Sequence, residues 1–180
     1  MELLKLASSV VGDVTAWRHH LHAHPELSGQ EVETSAFVEK TLREMGADEV
    51  RRVGKTGVVA LVRGVQPGPV FALRADMDAL PVPELADVEF KSQSENVMHA
   101  CGHDVHTAVL LGAAKALCGV RGQIHGTVKF FFQPAEETGR GAREMIAAGE
   151  LDEKDPPACI AALHVFPGIP AGTLGVRRGA

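Results

Sequence analysis

Apolar and polar positions recur along the chain with two different periods, and the changes of period divide it into helices and strands. Over residues 2–24 the apolar positions follow helical spacing, and the run stops before Pro25, where a helix usually ends. Ser28 and Glu31 form an S-x-x-E capping-box pattern that predicts a second helix over about 30–45, closed by Gly46. Strand character appears in GVVALVRG, PVFALRA and TVKFFFQ, and again in ACIAALHV after Pro156-Pro157. Helical stretches are expected between these strands, over 103–117 and about 141–148.

Strands alternating with helices predict an α/β fold: a mostly parallel sheet flanked by helices on both faces. The runs PVFALRA and ACIAAL are almost wholly apolar, as strands buried on both faces should be. Ligands of open α/β sheets bind beyond the carboxyl ends of the strands. PVFALRA leads into Asp76 and Asp78, TVKFFFQ into Pro134-Ala135-Glu136-Glu137, and ACIAAL into His164. Three strand ends thus present acidic or imidazole side chains on the edge where such sheets do chemistry.

Between them lies HACGHDVH, residues 99–106. Gly102 breaks the backbone before a helix whose Gly112, Ala113 and Ala114 allow close packing on a sheet. Cys101 and His103 flank that turn, and a thiolate and an imidazole so placed make a half-site for zinc or a neighbouring divalent ion. A buried cysteine beside a helix-capping histidine is the bland alternative. Glu136-Glu137 shifts the balance, because one carboxylate can bind a metal while its neighbour takes a proton from water. An exposed acidic pair at a strand end and a packed His164 are the structural alternatives. His19, His20, His22 and His24 are denser still. They are read as structural or surface residues, since Pro25 ends their helix and only Glu26 flanks them. His106, one turn after His103, is placed to support the ligand shell.

Composition narrows the field without choosing a function. The chain has 180 residues, 45% hydrophobic and 23% charged, which fits one globular core. A formal net charge of −5 gives no electrostatic reason to expect nucleic acid or an anionic membrane as partner. No apolar run is long enough to span a bilayer, and the start lacks a cationic signal-peptide region. Three widely spaced cysteines show no disulfide framework, so a reducing, cytoplasmic location is expected.

Five segments in order, LHAHPELSGQE (21–31), LRADMDALP (73–81), MHACGHDVHTA (98–108), FFQPAEETGRGA (131–142) and LHVFPGIPAGTLGVRRG (163–179), closely resemble one family. It is the amidohydrolase branch of the di-metal aminoacylase and carboxypeptidase superfamily. This branch holds hippurate hydrolases, N-acyl-amino-acid amidohydrolases and plant indole-acetyl-amino-acid hydrolases. The resemblance implies metal-dependent hydrolysis of the amide bond of N-acyl amino acids or short peptides, by two divalent ions: zinc, or manganese, cobalt or nickel. It implies Cys101, His103, Glu137 and His164 as metal ligands, Cys101 able to bridge two ions, and Glu136 as the general base. Asp78 matches a supporting carboxylate. Asp76 stands where many relatives carry a metal-binding histidine that His103 replaces in this branch, and is left out of the expected set.

Relatives are about twice as long and insert a smaller lid and dimerisation domain after the segment matched by TLGVRRGA, then return with a further histidine ligand. Residues 1–180 are accordingly expected to be the N-terminal portion of the catalytic domain, ending in a strand-like segment and by themselves nearly inactive. The intact protein is expected to be a homo-oligomer acting on a small molecule. Two rival classes are a non-catalytic metal-binding or interaction domain on the same scaffold, and a thiol redox or transferase domain using Cys101. The second is disfavoured by the absence of C-x-x-C and by acids that would raise a thiol's pKa unless a cation were bound.

Overall fold

The computed structural model describes residues 3–151 and 156–176. Helices α1 (Leu3–Ser8), α2 (Val11–Ala23) and α3 (Val32–Glu44) precede strands β1 (Glu49–Val53), β2 (Gly57–Arg63) and β3 (Gln66–Asp76). Then come α4 (His103–Gly119), β4 (His125–Gln133), α5 (Gly141–Ala147) and β5 (Cys159–Ala162), with a short 3-10 turn (Arg121–Gln123) before β4. The five strands form one sheet in the order β1-β2-β4-β3-β5.

The sheet is mixed and not mostly parallel. β3 runs parallel to β4 and β5, while β1–β2 and β2–β4 pair antiparallel. The expected parallel character came from the helix crossovers, and it holds where those crossovers occur. EVRRV, which becomes β1, is half polar and was not anticipated as a strand. It forms because the Gly54–Thr56 turn folds it back onto the apolar β2, with Val53 opposite Gly57.

Right-handed crossovers then place helices on both faces. The step from β3 to β4 moves one way across the sheet and the step from β4 to β5 moves back over β3, so α4 and α5 lie on opposite faces. Strand alternation matches this. Val58, Ala60, Val62, Phe130 and Phe132 pack with Val38 and Leu42 of α3 and Leu110, Leu111 and Ala114 of α4. Val59, Ala72 and Phe131 meet Met145 of α5 on the other side. Burying a side chain such as Phe130 or Leu42 stabilises by about 1.5–3 kcal/mol. Lys129 interrupts the apolar run of β4 and is buried; its ammonium donates to the Glu150 carbonyl at 2.7 Å and lies 3.0 Å from Glu150 Oε2. Arg51 also pairs with the Glu150 carboxylate.

Other expectations are corrected. The single N-terminal helix is two, broken at Ser9-Val10; Glu2 lies outside the described residues. The capping box does not form: α3 is capped by Glu31 without a side-chain bond, Ser28 bonds Asp78 instead, and the Glu31 carboxylate turns inward. Gly112 lets α4 approach α2 and not the sheet, since a Cβ there would lie 2.4 Å from Val14 Cγ2. The strand-like ending is absent over 173–176, and its last residues, 177–180, lie outside the described residues. Among the described residues no helix is long and apolar enough to cross a membrane.

Candidate metal centre

Parallel pairing aligns the carboxyl ends of β3, β4 and β5. Asp76 lies beside Gln133, and Arg74 beside Ala162, so the segments leaving these three strands emerge along a single edge. β3 delivers Asp76 and, after the buried Met77, Asp78. Both carboxyl groups are buried. Asp78 Oδ1 is 3.2 Å from His103 Nδ1, and its Oδ2 accepts from Ser28 Oγ at 2.6 Å and from the Glu137 N–H at 3.1 Å. Burial pushes the Asp78 carboxyl up, but hydrogen bonds from His103, Ser28 and the Glu137 and Glu136 backbone outweigh it and hold it down at about 2.

An ionised Asp78 fixes the His103 tautomer: Nδ1 carries the proton and Nε2 the lone pair. That lone pair is buried and has no hydrogen-bond partner. Around it stand Asp76 Oδ1 at 3.7 Å, Glu137 Oε1 at 3.8 Å and Glu136 Oε2 at 4.0 Å. A buried acceptor ringed by carboxylate oxygens is unfavourable unless a metal cation or a proton takes up its lone pair. Burial lowers the His103 pKa, yet the Asp78 hydrogen bond and the Asp76, Asp78 and Glu137 charges raise it overall.

The glutamate pair hangs on a strained turn. Ala135 has φ 47, a left-handed conformation unusual for a residue with a Cβ. Its N–H donates at 2.7 Å to Glu31 Oε1, which also accepts the Gly29 N–H at 2.9 Å, while Glu31 Oε2 accepts Thr56 Oγ1 at 2.8 Å. Glu31 is fully buried. It stands at the N-cap of α3, yet its side chain serves the turn presenting Glu136 and Glu137.

Cys101 and His103 flank Gly102, whose φ is 83 and where a Cβ would meet Val165 Cγ2 at 2.3 Å. Only glycine fits that turn without displacement. His164, two residues past β5, places Nε2 3.5 Å from Cys101 Sγ; its Nδ1–H donates to the Val165 carbonyl at 2.6 Å, leaving Nε2 free to coordinate. The Val165 N–H donates to His106 Nε2 at 2.9 Å, so His106 Nδ1–H points at Asp76 Oδ1, 2.5 Å away. Burial pushes the Cys101 thiol up to about 11, aided by Glu137, Asp76 and Glu136. The same carboxylates would draw a cation in, and a cation would reverse the shift.

Donor atoms of Cys101, His103 and His164 lie within 4.8 Å of one another, as do those of His103, Glu136 and Glu137, and those of Asp76, His103 and His106. His103 belongs to all three groups. The thiol, imidazole and carboxylate set, with the unpartnered Nε2 at its middle, fits a divalent transition metal.

The structure therefore brings together all of Cys101, His103, Glu136, Glu137 and His164, with Asp78 bonded to His103. Asp76, left out of the expected set, sits in the cluster as the partner of His106 and Arg74. His106 supports the cluster through Asp76 and the Val165 backbone, not through a ligand's ring nitrogen. Glu31 and Ser28 were missed as site residues; their S-x-x-E spacing was read as a cap, and no local pattern reveals that a carboxylate turns inward.

Comparison with known proteins identifies the family. The model of peptidase family M20/M25/M40 matches residues 72–179. An N-acyl-L-amino acid amidohydrolase of Geobacillus stearothermophilus is 48% identical over 99% of this chain and 48% of its own length. An IAA-amino acid hydrolase of Arabidopsis thaliana is 46% identical over 90% of this chain and 36% of its own length. The crystal structure of a dinuclear metal binding peptidase of Bacillus subtilis superposes with a TM-score of 0.88 at 44% identity, covering 94% of this chain and 47% of that one. The chain spans about half the length of the curated relatives it matches. It belongs to peptidase family M20/M25/M40.

Proposed function

We propose that the full-length protein hydrolyses the amide bond of N-acyl amino acids or short peptides, with Glu136 as general base and Cys101, His103, Glu137 and His164 holding two divalent ions. The observation that carries this reading is His103 Nε2, buried, unpartnered and encircled by Asp76, Glu136 and Glu137. Divalent ions bound there would polarise the scissile carbonyl and lower the pKa of an attacking water. Asp78 keeps the His103 proton on Nδ1 and so keeps the Nε2 lone pair facing the centre. The Glu136 side chain is the more exposed of the two, at 39% against 25%, although Glu137 is the more exposed residue when its backbone is counted; among the described residues the Glu136 carboxylate accepts no hydrogen bond. It is free to take a proton from water and return it to the leaving amine. The thiolate favours zinc on softness, with manganese, cobalt and nickel as alternatives.

Metal content and turnover of two full-length variants test the assignment. Glu136→Gln should keep its metal and lose about 10²–10⁴-fold in kcat, whereas Glu137→Ala should lose both. Equal metal loss would reverse the two roles, and hydrolysis that survives chelation would leave a metal-binding domain without metal chemistry. In this reading residues 1–180 supply the N-terminal portion of a catalytic domain, and the 180-residue chain alone turns over little. Rapid hydrolysis by that chain would refute the division of labour. The same reading makes the intact protein a cytoplasmic homo-oligomer, which light scattering and cell fractionation check.

A further inference from the structure

The densest histidine cluster stands outside the metal centre, yet its one buried ring is specifically held. Nδ1 of His22 is 2.8 Å from Asp104 Oδ2 and Nε2 is 2.9 Å from Glu84 Oε1. A neutral imidazole has one N–H and one lone pair. In either tautomer a neutral ring would aim its lone pair at a carboxylate oxygen. Only the doubly protonated ring satisfies both contacts.

The charged and titratable groups around it come from every neighbouring segment. Arg18 of α2 lies with Nη2 3.4 Å from His22 Nδ1, a positive charge that opposes the second ring proton, while its Nε donates to the same Asp104 oxygen at 2.8 Å. Glu84, with Lys91 nearby, comes from the irregular segment 81–98. The His99 ring centroid is 6.5 Å from that of His22, and Asp104 belongs to α4. Two carboxylates and two cations, Arg18 and the protonated His22, make a neutral set.

The chain positions of the two carboxylates matter most. Asp104 directly follows His103 in the first turn of α4. Glu84 belongs to the segment that leads to Cys101, and its Oε2 accepts the Ser92 N–H at 2.6 Å. The same segment is pinned to α2 by Phe90, stacked on His19 at 3.9 Å and capped by the Arg18 guanidinium at 4.6 Å, and by Gln93 N–H on the Ala23 carbonyl at 2.9 Å. Cys101 and His103 are thus suspended between two stretches that one ring joins.

We propose that His22 is a positioning residue: as a buried imidazolium bridging Glu84 and Asp104, it fixes the segments on either side of Cys101 and His103 and so sets how thiol and imidazole face a metal. This rests on the proposed metal-dependent function. The Asp104 hydrogen bond, opposed by burial and by the Arg18 charge and aided by Glu84, holds the His22 pKa above its ordinary value. The bridge is therefore complete below the ordinary histidine pKa and is lost as pH rises through the raised one.

Full-length protein carries the test. Nitrogen-15 NMR at about pH 6.5, the ordinary histidine value, should show both His22 ring nitrogens predominantly protonated. His22→Gln should weaken Co(II) binding about tenfold and diminish the thiolate-to-cobalt absorption band, at a temperature where circular dichroism shows the variant folded. A purely structural role would lower the melting temperature and leave the folded protein's cobalt affinity and band unchanged. Should His22→Gln not fold, Glu84→Ala carries the same comparison, because it removes one end of the bridge from an irregular segment. A singly protonated ring, or wild-type cobalt affinity and band in the folded variant, overturns the proposal. Wild-type protein that takes up no cobalt overturns the functional reading, whereas wild-type uptake that the substitutions leave untouched overturns this one alone.

Discussion

Glu31 offers a sharp test of how the glutamate pair is held. Its carboxylate accepts two backbone N–H groups, from Gly29 and Ala135, and the Thr56 hydroxyl, all inside the protein. Glu31→Ala strands both N–H groups, while the hydroxyl can rotate to another acceptor. At about 1–3 kcal/mol for each stranded donor the loss is about 2–6 kcal/mol. That is a large share of a domain stability of about 5–15 kcal/mol. Glu31→Gln keeps an oxygen for the two N–H groups and loses only charge assistance, at about 1–2 kcal/mol. The chemical effect should exceed the thermodynamic one. Ala135 is held at φ 47 through this contact, against a left-handed penalty of about 1–2 kcal/mol, and its release would swing Glu136 and Glu137 away from His103. Urea unfolding of the full-length variants gives the stabilities, and hydrolysis of an N-acetyl amino acid under folding conditions gives the activity. Equal unfolding midpoints for the Ala and Gln variants, or wild-type kcat in Glu31→Ala, would refute the reasoning.

Other substitutions probe separate links. Gly102→Ala forces φ 83 on a residue with a Cβ and drives that Cβ to 2.3 Å from Val165 Cγ2; thermal unfolding should show a loss of about 1–3 kcal/mol, and adding Val165→Ala should recover the contact but not the backbone strain. Glu150→Gln removes the negative charge paired with the buried Lys129 ammonium while the backbone carbonyl at that position still accepts from Lys129, and should cost about 1.5–3 kcal/mol at neutral pH. Burial raises the Glu150 pKa, but hydrogen bonds from Arg51 and Lys129 bring it below its ordinary value; its contribution is present above that value and fades as pH falls through the lowered one, so the variant's acid-unfolding limb should be flatter than wild type. Cys101, whose thiol is pushed up to about 11, should react slowly with iodoacetamide at neutral pH with or without metal; rapid alkylation of metal-loaded protein would revive a thiol-based reading.

Much of the candidate metal centre was readable from the sequence, because several of its residues come directly after strands whose apolar runs identify them. Asp78, Glu136 and His164 each stand just past such a run, and parallel pairing of β3, β4 and β5 does the rest. β1 was not readable: Arg51 and Arg52 break its alternation, and it is a strand only because β2 lies beside it. The antiparallel half of the sheet escaped for the same reason. Glu31 and His22 show a different limit. Their local patterns, S-x-x-E and a histidine-rich helix end, belong to surface caps, whereas their partners Ala135, Asp104 and Glu84 are 104, 82 and 62 residues away. Local spacing carries no record of such distant bonds.

β5 lies at the outer edge of the sheet with all four residues exposed, and Leu163, Phe166, Leu174 and Val176 beyond it are exposed too. An unprotected strand flanked by greasy side chains is adhesive in water: its bare peptide groups can template a neighbour, and the oily margin rewards the encounter. Handling the 180-residue polypeptide in concentrated solution thus becomes a colloidal problem as much as an enzymological one.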